Sequence, residues 1–139
     1  MQFKGPRFLS RTRTLGQRGE NLAARFLKKK GYKIVARSHR SALGEIDLVV
    51  VDLHDRREST LVFVEVKTRT DSSLGFPEEA VGREKQYKLS QLAAQYCKLY
   101  QLTECPVRFD VISILWPIHA GQPEVAHFQD AFDCRIEAY

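Results

Sequence analysis

The stretch that decides the fold is Gly44–Arg69, which reads GEIDLVVVDLHDRRESTLVFVEVKTR. Both of its ends are rich in valine and isoleucine and alternate apolar with polar residues, a pattern typical of β-strands. Between them, residues 54–59 (HDRRES) are charged and lack apolar periodicity, which predicts the turn of a β-hairpin. A turn centred near Arg56 places Asp47 opposite Glu65, to within one residue.

The predicted hairpin gathers Asp47, Glu65 and Lys67 on one face. Directly opposed side chains have Cβ atoms about 4.5–5.5 Å apart, close enough for two carboxylates to share one divalent ion. Mg²⁺ takes oxygen ligands, usually one or two carboxylates with substrate phosphate oxygens. Like charges opposed across a hairpin are destabilising, which favours a cation between them. The alternative is a register shifted by one residue, with both carboxylates in solvent.

Positive charge is concentrated near the N-terminus. The net charge is +5, but residues 1–40 hold twelve basic residues and one acid, a net charge of +11, while the rest carries −6. Such asymmetry indicates a polyanion-binding end, and phosphate neutralisation gives affinity without sequence readout. We therefore predict nucleic-acid contacts from the first helix, through Arg18, Arg25, Lys28 and Lys29. The alternative is a solvated basic helix.

The periodicity predicts a single α/β domain. The predicted elements are a helix over residues 15–30, a strand over 32–38, the hairpin, a helix over 77–102, a strand over 108–115 and a short strand near 124–128. This α-β-β-β-α-β order gives a mixed central β-sheet flanked by α-helices. Residues 1–14 have no period and are predicted to form a flexible basic arm, so the domain covers residues 15–139.

Composition argues against a membrane protein. No apolar run approaches the ~20 residues that span a bilayer, and the N-terminal segment lacks the apolar core of a signal peptide. The three cysteines are widely spaced and form no zinc-type pair. These features predict a cytoplasmic protein with free thiols and no membrane partner, and they leave a homodimer open.

Glu20 is the one acid of the basic segment, and Gly16 and Gly19 lie beside it. Glycine in a helix costs about 1 kcal/mol relative to alanine, so two of them suggest close backbone approach. Glu20 is then a third carboxylate facing the hairpin. Alternatively, it pairs with Arg25 or caps the first helical turn.

Two further cations interrupt their local patterns. Lys85 falls inside the apolar stripe of the second helix, which we predict to consist of Val81, Leu89, Leu92, Tyr96 and Leu99. It either reaches a substrate phosphate, assisted by Gln86, or snorkels to water. Arg69 follows Lys67 by two residues at the open end of the hairpin. It either binds a phosphate through both guanidinium nitrogens or is exposed to solvent.

Together these segments resemble the YraN-like family of small bacterial proteins, within the PD-(D/E)xK nuclease superfamily. The segments are Gly16-x-x-Gly19-Glu20, Gly44-Glu-Ile-Asp47-Leu, Leu61-Val-Phe-Val-Glu65-Val-Lys67-Thr-Arg69, Pro77-x-x-Ala80-Val81 and Arg108-Phe-Asp110-Val. They lie within residues 15–115. Ile46 stands where the superfamily pattern has a proline. The resemblance implies a restriction-endonuclease-like core.

The resemblance also implies a nuclease dependent on Mg²⁺, or on Mn²⁺ in its place, that hydrolyses phosphodiester bonds in DNA. The implied catalytic residues are Glu20, Asp47, Glu65 and Lys67, with Asp47, Glu65 and the Val66 carbonyl as metal ligands and Arg69, Lys85 and Gln86 on the phosphate. Archaeal Holliday junction resolvases are similar in layout, which implies branched or structured DNA by analogy alone. Two alternatives stay open: a non-catalytic nucleic-acid-binding module on a nuclease scaffold, and a protein-interaction domain.

Overall fold

The computed structural model describes residues 13–70, 81–117 and 121–135. Within them lie α1 (Leu15–Lys29), β1 (Lys33–Ser41), β2 (Gly44–Asp52), β3 (Thr60–Arg69), α2 (Arg83–Leu99), β4 (Val107–Leu115) and β5 (Glu124–Phe128). The order α-β-β-β-α-β-β confirms the predicted mixed α/β, restriction-endonuclease-like layout. Most of the predicted basic arm lies outside the described residues, so the division at residue 14 stays a prediction.

The five strands form one mixed sheet in the order β1-β2-β3-β4-β5. β3 and β4 are parallel, whereas the other neighbours are antiparallel. The hairpin has the register predicted from its turn, since Leu48 pairs with Val64 and Asp52 pairs with Thr60. The segment that contains α2 makes the crossover that parallel neighbours require.

The two helices cover opposite faces of the sheet. One buried cluster joins Ala23, Ala24 and Leu27 of α1 to Leu48, Val50, Val62, Val64, Ile112 and Ile114. The other joins Leu89, Leu92, Ala93 and Tyr96 of α2 to Ile46, Val49, Leu61, Phe63, Phe109 and Val111. Among the described residues, neither helix is long and apolar enough to cross a membrane.

The second helix is shorter than predicted. It begins at Arg83 and ends at Leu99, while Pro77 lies outside the described residues. Gln101 takes a left-handed φ of 57°, which ends the helix as αL residues commonly do. The prediction that Leu99 is buried is wrong: it is the last helical residue and is 63% exposed, because the chain turns away there.

α1 lies close to β3 because position 19 is glycine. A Cβ added to Gly19 would stand 1.8 Å from the Thr68 Oγ1 atom and 2.9 Å from the Thr68 Cβ atom. Gly16, one turn earlier, is exposed, and its added Cβ would meet nothing nearer than the Thr14 Oγ1 atom at 3.9 Å. Only the second glycine therefore supports the predicted close approach, and it sets the depth of Glu20 against the sheet.

A buried ion network joins side chains of β2, β4 and β5. Asp110, 1% exposed, accepts hydrogen bonds from Arg108 Nε at 2.8 Å and Nη2 at 2.9 Å and also contacts His127 Nε2 at 2.7 Å. Arg108 Nη1 also donates to Asp52 Oδ2 at 2.7 Å. Burial alone would raise the pKa of Asp52, but hydrogen bonds from His54 and Arg108 lower it to about 2. The network therefore stabilises the fold in its ionised form.

Substituting alanine for each glycine of α1 separates packing from helix propensity. We expect Gly19→Ala to lower the free energy of unfolding by about 1–3 kcal/mol, because the new methyl overlaps Thr68. Gly16→Ala is the matched control and should raise it by up to about 1 kcal/mol through helix propensity. Urea denaturation measures both. Equal effects of the two substitutions would contradict the close packing of α1 on β3.

Acid should weaken the protein through Asp52. Its pKa is lowered from 3.8 to about 2 in the fold, so its ionised form contributes stability that is present above the unfolded-state pKa and lost as pH falls through the folded-state pKa. Asp52→Asn should therefore flatten the fall of unfolding free energy between pH 3.8 and about 2. Urea midpoints across this range measure the slope. A slope as steep as the wild type's would show that Asp52 is not the group responsible.

Candidate metal centre

The β2–β3 hairpin opens into a fork beyond its last backbone pair. Pairing of β2 with β3 runs from Asp52–Thr60 to Leu48–Val64. Beyond it, β2 continues beside β1 as far as Gly44, and β3 continues beside β4 as far as Arg69. The Val66 N–H donates to the Asp47 Oδ2 atom at 2.8 Å. The Asp47 side chain thus occupies the fork in place of a backbone pair.

Three carboxylates converge at this fork. Glu20 of α1 and Glu45 and Asp47 of β2 each offer an oxygen, and these atoms lie within 4.8 Å of one another. Ser38 Oγ donates to Glu20 Oε2 at 3.4 Å, and Arg40 Nε lies 3.2 Å from Glu45 Oε2. We call Glu20, Glu45 and Asp47 the acidic cluster. Its oxygen-only donor set is the kind that Mg²⁺ and Mn²⁺ prefer.

The placement of Glu20 distinguishes between its two predicted roles. Thr14 caps α1 with its side chain, and Gln17 completes the capping box. Among the described residues Glu20 makes no ion pair with Arg25. Glu20 instead faces Asp47 from the neighbouring helix, as its role as a third carboxylate requires.

Burial and neighbouring negative charge disfavour the ionised form of Asp47. Burial raises the pKa of Asp47 to about 8, and the negative charge of Glu65 adds to the effect. The hydrogen bond from the Val66 N–H opposes it, and Glu20 raises the pKa further. A site that holds a carboxylate protonated near neutral pH lacks positive charge, and a divalent cation would supply it.

Glu65 is placed differently from the acidic cluster. It is buried, and its Oε1 atom lies 3.1 Å from Lys85 Nζ and 3.6 Å from Lys67 Nζ. Leu61 and Phe63, which precede it in the alternation of β3, face α2. Glu65 forms ion pairs with both lysines. It also lies near enough to the fork for its charge to raise the pKa of Asp47. Lys85 reaches this group from the first turn of α2, and its side chain is 45% exposed.

The remaining predicted phosphate-binding residues are dispersed. The Arg18 guanidinium lies 4.3 Å from the Trp116 ring centroid. Gln86 donates to the Val81 carbonyl at 2.8 Å and accepts from Arg135, so its amide is already engaged. Arg69 ends β3 beside Leu115. Arg25, Lys28 and Lys29 are exposed on α1, and the two lysines lie in its last turn.

Sequence reasoning missed Glu45. It stands two residues before Asp47 on β2, and residues two apart in a strand share a face; this spacing was the signal. Arg37 and Ser38 were missed for another reason. They are consecutive in β1 yet both line the cleft beside Glu20, because Ser38 takes a left-handed φ of 49° that breaks the alternation. Sequence does not reveal a positive φ at a serine.

The chain thus has a mixed α/β fold of restriction-endonuclease-like layout, with the acidic cluster at the fork between β2 and β3. A model of the uncharacterised protein family UPF0102 matches residues 19–114. The chain belongs to this family, which confirms the YraN-like resemblance.

The relatives cover most of the chain. A UPF0102 protein of Clavibacter michiganensis subsp. michiganensis is 44% identical over 117 residues, which are 84% of this chain and 94% of that protein. One from Geotalea daltonii is 43% identical over 121 residues, 87% of this chain and 91% of that protein. The solved structure of Pyrococcus furiosus SfsA in complex with Ca²⁺ matches at 10% identity and a TM-score of 0.31, covering 82% of this chain and 61% of that one. A likeness this weak bears on neither fold nor function.

Without metal, Asp47 should make the protein less stable as pH rises. Its folded-state pKa is raised from 3.8 to about 8, so the folded state keeps a proton that the unfolded state loses. The resulting stabilisation is full below pH 3.8 and is lost as pH rises to about 8. Asp47→Asn should remove this dependence. The unfolding free energy of the variant, relative to that of the wild type, should therefore rise as the pH rises across this range.

Urea denaturation in EDTA across that pH range measures the difference. Asp55→Asn, in the exposed turn between β2 and β3, is the matched control and should run parallel to wild type. An Asp47→Asn curve that also runs parallel would contradict the raised pKa.

Proposed function

We propose that this protein is a metal-dependent nuclease that hydrolyses phosphodiester bonds in DNA, with Mg²⁺ or Mn²⁺ at the fork between β2 and β3. The observation that carries the proposal is the convergence of Glu20, Glu45 and Asp47 within 4.8 Å. Convergence from a helix and a strand gives the site a rigid frame, which catalytic geometry needs.

The donor set fits a hard divalent cation. Asp47 and the other carboxylates of the acidic cluster would hold it, with Glu65 and the Val66 carbonyl as the further ligands that the family resemblance implies. Such an ion, when bound, polarises a phosphoryl oxygen and lowers the pKa of a coordinated water. The raised pKa of Asp47 supports the assignment, because a cation would restore the ionised form.

The lysines supply the positive charge that phosphodiester cleavage needs. Lys67 and Lys85 both contact the buried Glu65 carboxylate, which fixes their ammonium groups beside the fork. From there Lys67 orients the attacking water or neutralises the charge that develops on the phosphate oxygens. Lys85 is the more exposed of the two and binds the incoming phosphate. In hydrolysis, the oxygen of water bonds to phosphorus while the bond to the leaving sugar oxygen breaks.

DNA as the substrate is supported by charge. The net charge of +11 in residues 1–40 matches a polyanion, and α1, within that segment, carries Glu20 to the fork. Substrate affinity and the candidate metal site thus meet on one helix. Branched or structured DNA is the substrate that the junction-resolvase analogy adds to the proposal.

The proposal is tested by incubating branched, single-stranded and duplex DNA with the protein and Mg²⁺ or Mn²⁺. We expect cleavage that EDTA abolishes. Asp47→Asn and Lys67→Ala should each reduce the rate by about 100-fold or more, since each removes a charge that acts on the transition state. Gel electrophoresis of end-labelled DNA measures the rates.

Asp55→Asn is the control, because it makes the same chemical change to an exposed aspartate in the turn between β2 and β3. It should cleave like wild type. Residual activity that is equal in wild type, Asp47→Asn and Lys67→Ala would indicate a contaminating nuclease and refute the proposal. DNA binding that persists without any cleavage would instead support the non-catalytic binding module.

A further inference from the structure

A cleft of about 600 Å³ opens beside the acidic cluster, between α1 and β1. Its lining includes Glu20 together with Arg13, Asn21 and Arg37. A second hollow of about 290 Å³ is lined by Arg13, Asn21, Arg25 and Arg37. Arg13, Asn21 and Arg37 line both hollows, so the two adjoin, and we call them together the channel.

Three guanidinium groups line this channel. Among the described residues, Arg13, Arg25 and Arg37 form no ion pair, and Arg37 instead donates to the Asn21 side chain at 3.2 Å. Arg40 and Arg108, in contrast, pair with acids, Arg40 with Glu45 and Arg108 with Asp110. Cations gathered in a cleft raise the local concentration of anions, and here they stand beside the Glu20 carboxylate of the acidic cluster.

The spacing along α1 suits a chain of anions. Arg25 follows Glu20 by five residues, which corresponds to about 7.5 Å along a helix axis. Consecutive nucleotides of one strand rise by about 3.4 Å in a duplex and can extend further when single. The axial separation of Glu20 and Arg25 is thus comparable to a step of about two nucleotides.

We propose that this channel is a backbone-binding subsite, in which Arg13, Arg25 and Arg37 hold the phosphates of the DNA strand next to the scissile one. The inference rests on the proposed function, since it takes the fork as the point of cleavage. It assigns the flanking strand to the α1–β1 side, away from Arg69 and Lys85. Among the described residues, no aromatic side chain lines either hollow, so these residues bind phosphates without stacking bases or reading sequence.

The subsite is tested by the binding of a short fluorescein-labelled single-stranded oligodeoxynucleotide in Ca²⁺, which takes the same oxygen ligands as Mg²⁺. The double variant Arg25→Ala/Arg37→Ala should bind roughly tenfold more weakly. The slope of log affinity against log salt should become shallower by about 0.7 for each arginine. Anisotropy measures both quantities, a gel verifies that the oligonucleotide stays intact, and thermal unfolding verifies that the variant is folded.

The matched control is Arg56→Ala/Arg57→Ala, which removes two exposed arginines from the turn at the far end of the hairpin. It should retain wild-type affinity and slope. Wild-type affinity and slope in Arg25→Ala/Arg37→Ala would overturn the subsite, as would an equal loss in both double variants.

Parallel cleavage assays in Mg²⁺ separate this inference from the proposed function. Weakened binding by Arg25→Ala/Arg37→Ala, in a protein whose wild type never cleaves, would support the subsite and refute the nuclease. Cleavage that requires Asp47, together with wild-type binding by the arginine variant, would support the nuclease and refute the subsite.

Discussion

The hydrogen bond from the Val66 N–H to the Asp47 carboxylate, 2.8 Å long, is the contact on which the candidate site depends. It replaces a backbone pair between β2 and β3, so the two strands separate while each keeps its outer neighbour. The sheet remains one body because both of its faces are buried under helices. A polar side chain inserted between two strands normally disrupts their pairing. Here the apolar clusters on the two faces of the sheet stabilise both strands.

The fork also divides the charges of the site into three groups. The acidic cluster lies at the fork itself, Glu65 with its two lysines lies beside it, and the arginine-lined cleft opens between α1 and β1. Burial, with the charges of Glu65 and Glu20, raises the pKa of Asp47, so the ionised form of the site depends on the stability of the rest of the fold. The Asp110 network contributes to that stability, because its ionised groups are hydrogen-bonded to one another.

Much of the fold could be predicted from the sequence, because alternation and turn composition fix a hairpin register. The charged turn at residues 54–59 placed Asp47 opposite Glu65 to within one residue, and the observed pairing of Leu48 with Val64 agrees with it. The site was only partly predictable. Glu20 stood out as one acid among many bases, whereas the fork depends on where a side chain finds its hydrogen-bond donor. Periodicity likewise does not encode the left-handed φ of Ser38 or that of Gln101, which follows the end of α2.

The central claim is that the carboxylates at the fork bind a divalent cation. Crystals of the protein grown with Mn²⁺ test it most directly, because anomalous scattering locates the ion without reference to activity. The account predicts one Mn²⁺ at the fork, about 2.0–2.2 Å from a carboxylate oxygen of Asp47 and of at least one other member of the acidic cluster. A fork that stays free of Mn²⁺ at saturating concentration, with Asp47 still bonded to Val66, would contradict it.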